Sequence, residues 1–530
     1  MVSPASDNRT IVSSPGKVLL AGGYLVLDRA FSGVVVATSS RFYSVVSPLS
    51  STSGSNQDGT ERAIISVRAG QFPREASTWI YALSVKEDEL VLQQINEDKV
   101  GKNKFIYISL LKTLEVAYEN IVKSGKGSVA AAEELIKRVS SEGDGLDIVV
   151  LADNDFYSQR EQLSNQSLPA RLSSLPSLQP FTPLPRPIPQ TNKTGLGSSA
   201  ALVTSLTASV LCHLGVVSLS NTSRSASAES TSDSKRSDDL GLVHSLAQFA
   251  HCLAQGKVGS GFDVSSAVFG THLYTRFSPS ILTPLMDRPL TCIPLMASSA
   301  SSSSSSYLLE ALDHTKWDSS TKPFRLPRGL RLLLADVDAG TDTPSFVGKV
   351  LEWRKNNPDQ AGKLWGELDS ANMKLEGFLT QLVAREGDAD YEESLRRAAA
   401  GRAGKQENKQ SSATSVLVQQ VRETLHTIRG YLRAMSDASG VPIEPPEQTR
   451  LLDASSDLEG VIGGGVPGAG GYDALFLLVV DQPDVIDRVD GLWAGWTEMS
   501  VCPLSARQSD GGLRIESADS VAGLRDALSR

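Results

Sequence analysis

Cysteine is scarce in this sequence, with four residues in 530, at positions 212, 252, 292 and 502. They are far apart and form no C-x-x-C pair, which excludes a disulfide framework and favours a reducing compartment. Long apolar runs are also missing. No stretch approaches the ~20 residues of a membrane span, and the N-terminus MVSPASDNRTIVSSPGK lacks the apolar core of a signal peptide. We therefore expect a cytoplasmic protein with no membrane partner.

A basic excess is absent as well, because the formal net charge is −9. The chain as a whole is therefore not expected to bind nucleic acid, and an anionic substrate would need a local basic cluster. The 40% hydrophobic and 21% charged residues are typical of a globular protein. The length exceeds one ordinary core and predicts two domains with insertions.

The most informative stretch is 193–214, KTGLGSSAALVTSLTASVLCHL. Gly195 and Gly197 let backbone amides approach an anion closely. A helix that begins directly after them adds its unpaired N–H groups and the positive end of its dipole. No G-x-x-x-x-G-K-[ST] sequence occurs, so this is not a Walker loop. Taken alone, the stretch is equally consistent with a serine-capped, buried helix after a glycine turn.

Three further segments carry residues suited to catalysis or to phosphate binding. Lys17 follows Pro-Gly and enters an apolar strand, a position suited to the rim of an active site. Asp263 follows three glycines in QGKVGSGFDV, six residues after Lys257, an arrangement that holds a carboxylate near a phosphate. VPGAGGYDA at 466–474 predicts an amide-rich bend between strands. Each has an ordinary alternative: a solvated lysine, a helix-capping aspartate and a tight turn.

In their order along the chain, the four segments resemble the motifs of the GHMP kinases, the superfamily of galactokinase, homoserine kinase and mevalonate kinase. Within it, several segments are similar to the phosphomevalonate kinases of fungi and plants. The likeness covers about residues 10 to 480. The segments that carry it are Pro15–Leu27, Asp155–Gln159, Lys193–Ala201, Gln255–Asp263, Ile443–Pro446 and Gly468–Asp473.

The resemblance implies an α+β fold of two domains. An N-terminal ATP-binding domain at 8–280 would be similar to ribosomal protein S5 domain 2, and a C-terminal domain at 325–530 would be ferredoxin-like. A Ser-rich linker is predicted at 281–324. Because their composition offers little apolar surface to offset the entropy of ordering, a Pro-rich insert within 160–190, a Ser-rich insert at 218–238 and a polar insert at 396–414 are expected to be mobile.

Composition and periodicity predict the secondary structure. Strands are predicted at 18–27, 34–38, 42–47, 64–67, 147–152, 330–335 and 474–480, and helices at 104–122, 129–139, 198–214, 239–255, 343–356, 360–383 and 414–438.

The activity implied by the resemblance is transfer of a phosphoryl group from ATP to the small molecule 5-phosphomevalonate, with ATP and Mg²⁺ as cofactors. The implied catalytic residues are Lys17, Asp263 and Ser199, and Ser199 is also the implied Mg²⁺ ligand. The implied ATP-binding residues are Lys193, Thr194, Gly195, Leu196, Gly197, Ser198, Ser199 and Ala200. The implied substrate-binding residues are Tyr24, Lys257, Ser260, Thr341, Thr343, Gly470 and Gly471.

One feature departs from the superfamily. Mevalonate kinases carry a glutamate metal ligand on the helix before the Asp263 loop, whereas residues 248–255 read QFAHCLAQ without a carboxylate. Mg²⁺ prefers oxygen, so we interpret His251 as a histidine that packs between helices. The metal would then be held by serine, phosphates and water, or by another carboxylate.

The acceptor chemistry also bears on Asp263. A phosphate monoester has a second pKa of about 6 and is largely dianionic at neutral pH, so it needs no general base. We therefore predict that Asp263 positions Lys17 rather than removing a proton.

Two alternatives stay open. The chain could be another GHMP kinase that acts on mevalonate or a sugar, although Gly-Gly-Tyr at 22–24 and the Lys257 loop favour phosphomevalonate. It could also be a non-catalytic sensor with this fold, although the presence of Lys17, Ser199 and Asp263 favours catalysis.

Overall fold

The computed structural model describes residues 8–49, 62–219, 231–295, 307–337, 343–400 and 412–530. The strands are β1 (Thr10–Ala21), β2 (Ser32–Pro48), β3 (Arg62–Ala69), β4 (Thr78–Lys86), β5 (Glu89–Gln94), β6 (Gly145–Ala152), β7 (His272–Thr275), β8 (Cys292–Pro294), β9 (Ser320–Pro323), β10 (Leu330–Asp336), β11 (Val461–Gly465), β12 (Ala474–Val480), β13 (Cys502–Leu504), β14 (Gln508–Ser509) and β15 (Arg514–Ile515).

The helices are α1 (Glu97–Val100), α2 (Lys104–Lys123), α3 (Ser128–Val139), α4 (Arg160–Asn165), α5 (Ser198–His213), α6 (Thr231–Gln255), α7 (Phe262–Phe269), α8 (Leu308–Ala311), α9 (Thr343–Asn356), α10 (Pro358–Ala384), α11 (Tyr391–Ala399), α12 (Ala413–Ser439), α13 (Pro446–Ser456), α14 (Pro483–Ala494) and α15 (Leu524–Ser529). Across the ranges just given, the structure contains no helix with the length and apolar character needed to span a membrane.

The larger sheet has the strand order β15-β1-β2-β6-β3-β4-β5-β8, and β7, β9 and β14 join it through β2 and β7. Its strands pair antiparallel except for β3 and β6, which run parallel. Helix α5 packs on β1 and β2 and contacts α2, α6 and α7. This packing brings the N-termini of α5 and α7 next to β1, the strand that carries Lys17.

The smaller sheet consists of β10 to β13 in the order β11-β12-β10-β13. Along the chain these strands and their helices follow the pattern βαββαβ, which together with the strand order is the ferredoxin-like arrangement. The predicted α+β class is confirmed. The last two strands, β14 and β15, return to the larger sheet. The proposed domain limits stay a prediction.

Several predicted elements have different bounds in the structure. The strand predicted at 18–27 ends at Ala21, because Gly22 takes φ 100° and turns the chain into a short 3-10 helix, Leu25–Leu27. The strands predicted at 34–38 and 42–47 are one strand, β2. Helix α6 begins at Thr231, so part of the predicted Ser-rich insert belongs to a helix. Residues 220–230 of that insert, the serine run at 298–306 and most of the polar insert lie outside the described residues.

The expectation of a mobile Pro-rich segment at 168–189 is wrong. Apolar residues between its prolines are buried: Leu175 and Leu178 pack with Leu163 and Cys502, and Phe181 packs with Tyr43. The backbone N–H of Leu172 donates to Asp490 Oδ1 at 2.8 Å. These contacts supply the apolar burial that composition alone did not suggest.

Candidate active site

The glycine-serine loop at 195–200 leads directly into helix α5. Gly195 and Gly197 have left-handed backbone angles, φ 76° and 79°, which other residues adopt only with strain. Within the described ranges, the backbone N–H groups from Gly195 to Ala200 donate no hydrogen bond. A run of unpaired donors at the N-terminus of a 16-residue helix forms a binding site for an anion.

Lys17 lies on β1 beside this loop. Its backbone N–H donates to the Leu196 carbonyl at 2.9 Å, and its Nζ donates to the Gly195 carbonyl at 2.7 Å. The pairing of β1 with β2 shifts register between Pro15 and Lys17. Gly16 permits the close approach, since a Cβ there would lie 3.1 Å from the Leu196 carbonyl oxygen. The predicted cation and the predicted phosphate loop are therefore in direct contact.

Acidic residues of the other two motifs act electrostatically on the Lys17 ammonium. Its Nζ lies 5.5 Å from the centre of the Phe262 ring, next to Asp263 in sequence. Burial lowers the pKa of Lys17, and the carboxylates of Asp263 and Asp473 oppose that shift. The Lys17 hydrogen bond goes to the Gly195 carbonyl, so both carboxylates act on the ammonium through their field.

Asp263 lies in the first turn of α7. Its Oδ1 accepts a 2.9 Å hydrogen bond from the N–H of Val264. The preceding Gly261 has φ 86°, and a Cβ there would lie 2.8 Å from the Tyr274 hydroxyl oxygen. This tight turn, which depends on a glycine, fixes the backbone position from which the Asp263 side chain extends.

The loop at 256–261 is held by two side chains beneath it. The Tyr274 hydroxyl donates to the Ser260 carbonyl at 2.8 Å, and Arg276 Nη2 donates to the Gly259 carbonyl at 2.8 Å. Lys257 in the same loop is exposed to solvent. The loop backbone is therefore fixed while the Lys257 side chain faces outward.

The segment Pro15–Leu27 also supports the glycine bend at 466–474. The Tyr24 hydroxyl donates to the Ala469 carbonyl at 2.7 Å, and the ring is buried. A Cβ on Gly23 would lie 2.8 Å from the Gly468 carbonyl oxygen. Tyr24 was predicted to bind substrate, and in the structure its hydroxyl is engaged by the backbone of the bend.

The other side of the glycine bend rests on Ile443. Gly471 N–H donates to the Ile443 carbonyl at 2.8 Å, and a Cβ on Gly470 would lie 2.1 Å from the same oxygen. The N–H groups of Gly468 and Ala469 donate no hydrogen bond to any residue that the structure describes. The bend therefore offers a second set of backbone donors.

A buried ion pair fixes the segment that follows Ile443. Glu444 accepts from Arg429 and from Arg433, each at 2.7 Å, and its side chain is fully buried. Arg429 also contacts the exposed carboxylate of Asp453 at 2.8 Å. Together these contacts attach the support of the glycine bend to helix α12.

Ser199 contacts a histidine that sequence reasoning assigned only to packing. Its Oγ lies 3.0 Å from Nε2 of His251, and Gln255 Nε2 lies 3.3 Å from the same nitrogen. His251 is buried and stacks near Phe105, with ring centres 5.7 Å apart. Burial lowers the pKa of His251, and Asp263 opposes that shift. The imidazole is therefore part of the site.

Asp155 ties the site to both ends of the chain. Its buried carboxylate accepts from Ser40 Oγ at 2.6 Å, from Gln159 Nε2 at 3.1 Å and from the N–H of Ser505 at 2.7 Å. Its carbonyl accepts from the Thr194 hydroxyl, directly before the glycine-serine loop. Asp155 accepts all of these hydrogen bonds and so fixes the start of the glycine-serine loop.

The remaining predicted residues are placed less centrally. Lys193 is exposed and forms a backbone bridge with Tyr157. Thr343 is the first residue of α9, and Thr341 lies outside the described residues. Sequence reasoning gave no role to Asp473, although the aspartate stands at the end of the quoted glycine motif. Its place after three glycines, like that of Asp263, was the available signal.

The donor set fits a nucleotide with a hard cation. Backbone amides and a lysine suit phosphate oxygens, and the Ser199 hydroxyl is an oxygen ligand of the kind that Mg²⁺ accepts beside water and phosphates. In the described part of the chain, no cluster of three or more His, Cys, Asp or Glu side chains is arranged to hold a metal ion.

No known protein-family profile matches this sequence. Among curated proteins, the chain is 34% identical over 526 residues to the peroxisomal phosphomevalonate kinase of Arabidopsis thaliana, covering 96% of each chain. It is 35% identical over 556 residues to a phosphomevalonate kinase of Aspergillus fumigatus, covering 97% of this chain and 98% of the other.

A solved structure shares the fold. The phosphomevalonate kinase of Streptococcus pneumoniae, in complex with phosphomevalonate and AMPPNP, matches with a TM-score of 0.53 at 13% identity. The match covers 94% of this chain and 99% of the other.

Proposed function

This chain belongs to the phosphomevalonate kinase family of the GHMP kinases, and from that premise we propose how its residues transfer a phosphoryl group from ATP to 5-phosphomevalonate. The products are ADP and 5-diphosphomevalonate, in the mevalonate route to isoprenoids and sterols. The observation that carries the mechanism is the run of unpaired amides at 195–200 beside Lys17.

The first part of the mechanism is binding of ATP. The N–H groups of Gly195 to Ala200 bind phosphate oxygens, supported by the dipole of α5. Ser199 would hold Mg²⁺, and the ion would supply neutralisation of the phosphate charge. Lys193 stays a proposed ATP contact, whereas the hydroxyl and N–H of Thr194 donate to the carbonyls of Asp155 and Phe156, so Thr194 positions the loop.

The second part is the approach of two anions. The acceptor is a dianionic phosphate near neutral pH, so charge neutralisation matters more than proton removal. Lys17 lies where three motifs meet and stabilises the charge of the transferred group. The bend offers the N–H groups of Gly468 and Ala469 to the acceptor side, because those of Gly470 and Gly471 donate to Pro467 and Ile443. Lys257, Ser260, Thr341 and Thr343 stay proposed contributors on that side.

Tyr24 acts through another element. Because its hydroxyl donates to the Ala469 carbonyl, we assign it to holding the glycine bend in place. The carboxylates of Asp263 and Asp473 favour the charged form of Lys17, because they oppose the lowering of its pKa by burial. A cytoplasmic location also stays a proposal, since the Arabidopsis relative is a peroxisomal protein, and fractionation of cells expressing the full chain tests it.

The direct test compares acceptors. ADP release by the full-length protein, with ATP and Mg²⁺, should require 5-phosphomevalonate, while mevalonate and galactose should give only the background rate. Turnover with mevalonate or galactose alone would reassign the acceptor. Tight ATP binding without turnover of any acceptor would favour the sensor alternative.

A further inference from the structure

The hydrogen-bond network around His251 defines which atom donates. Two groups meet at Nε2 of His251: the Ser199 hydroxyl at 3.0 Å and the Gln255 amide nitrogen at 3.3 Å. An amide nitrogen can only donate, so Nε2 carries a lone pair and accepts. With Nε2 as acceptor, the Ser199 hydroxyl must be the donor in their contact. This assignment follows from the network and from the orientation of the Gln255 amide.

The direction of that hydrogen bond has a consequence for Ser199. Once the hydroxyl proton points at His251, both lone pairs of the serine oxygen are available on its other side. Ser199 stands at the second position of α5, among the unpaired amides of the loop. The oxygen is therefore held as an acceptor or ligand at the place where the phosphates and the metal would bind.

His251 is fixed well enough to impose this direction. It is 2% exposed, its ring lies against Phe105, and Gln255 one helical turn later occupies the same nitrogen. A ligating group in a metal site is commonly oriented by a hydrogen bond from a neighbour in this way.

We propose that His251 is a positioning residue for the metal: it accepts the proton of the Ser199 hydroxyl and so turns the serine oxygen toward Mg²⁺·ATP. The inference rests on the proposed function and deepens it. His251 touches neither substrate nor metal, and its effect reaches the cation only through Ser199.

The chain supplies a matched control on the same helix. His244 lies two turns before His251 on α6, is also buried at 5% exposure, and packs against Phe269 and Trp317. Replacing either histidine by phenylalanine preserves an aromatic ring in a helix core. Only the change at 251 removes a partner of Ser199.

The experiment measures binding of ATP by calorimetry, without any acceptor, across a series of Mg²⁺ concentrations. His251→Phe should raise the half-saturating Mg²⁺ about 10-fold, the lower range for loss of a group that orients a metal ligand. ATP binding without Mg²⁺ should be unchanged. His251→Gln should stay within about threefold of the native protein, because the glutamine amide oxygen is also an acceptor. His244→Phe should behave like the native protein.

A double variant completes the test. In a Ser199→Ala background, His251→Phe should have no additional effect on Mg²⁺ dependence, because the two residues act as one unit. The proposal is overturned if His251→Phe needs no more Mg²⁺ than the native protein, if His244→Phe is equally impaired, or if the effect persists without Ser199. These measurements contain no phosphomevalonate, so they fail or succeed independently of the acceptor assignment.

Discussion

The ammonium of Lys17 donates its hydrogen bond to the carbonyl of Gly195, 178 residues further along the chain, at 2.7 Å. The strand β1 and the glycine-serine loop therefore form one unit, in which the cation lies beside a run of unpaired amides. The arrangement combines fixed dipoles with a full charge, as a site for phosphoryl transfer requires.

Lys17→Met tests that unit. The methionine keeps an apolar stem and removes the charge, so turnover with 5-phosphomevalonate should fall by about two orders of magnitude or more. The half-buried side chain lies at the site rather than in the core, so the far-ultraviolet circular dichroism and the unfolding midpoint should change little. Lys86→Met, at an exposed lysine of β4, is the control and should retain full activity. Near-native turnover of Lys17→Met would remove this residue from the catalytic set.

Glu444→Ala tests how the glycine bend is anchored. The variant leaves the buried guanidinium of Arg429 without its main partner, and losing one member of a buried pair costs about 3 kcal/mol in the free energy of unfolding. Asp453→Ala removes a partner of the same arginine that is 56% exposed, and should cost less than about 1 kcal/mol. Urea unfolding of both variants measures the difference. Equal losses would contradict the assignment of Glu444 as the anchor.

Gly470→Ala tests the contact between the bend and Ile443. Gly468 and Gly470 both have positive φ, 67° and 70°, so alanine at either position pays the same left-handed strain of about 1–2 kcal/mol. At Gly470 the new Cβ would also lie 2.1 Å from the Ile443 carbonyl oxygen, whereas at Gly468 no atom lies within 4 Å.

Gly470→Ala should therefore lower the free energy of unfolding by a further ~1–3 kcal/mol relative to Gly468→Ala. It should also raise the KM for 5-phosphomevalonate more than the KM for ATP, since the bend faces the proposed acceptor side. Thermal unfolding and steady-state kinetics check both points. Identical behaviour of the two alanine variants would show that the Ile443 contact carries no weight.

Sequence patterns predicted much of the site because each of its motifs is a short, continuous segment of the chain. Gly195, Gly197 and the helix after them create the amide run by themselves, and Lys17 and Asp263 stand in motifs with recognisable spacing. The helical periodicity of α5, α10 and α12 was sufficient to place these elements within a few residues.

The contacts that join distant segments could not be read from one sequence. Asp155 binds Ser505 across 350 residues, and β15 pairs with β1 from the end of the chain. The apolar residues of the Pro-rich segment looked too few for a core of their own, but Phe181 and Leu175 are buried against other segments. His251 was assigned to packing because its partner, Ser199, is on another helix.

Asp263→Asn separates two roles that predict opposite pH behaviour. Lys17 works as a cation, and its pKa is lowered by burial while Asp263 and Asp473 oppose the shift. Activity should fall as pH rises through the pKa of Lys17. Removing the charge at 263 removes an opposing contribution, so that pKa drops further and the alkaline limb of the kcat/KM profile moves to lower pH. Turnover near neutral pH should be slowed but not abolished, because a dianionic acceptor needs no base.

Asp473→Asn provides the comparison, since its charge acts on Lys17 in the same direction. Its alkaline limb should move to lower pH as well, which identifies that limb with Lys17 whatever the role of Asp263. A general base at 263 would instead make Asp263→Asn inactive near neutral pH, with activity returning as pH rises. The pH profiles of the native protein and both variants with 5-phosphomevalonate therefore decide whether Asp263 tunes the charge of Lys17 or removes a proton.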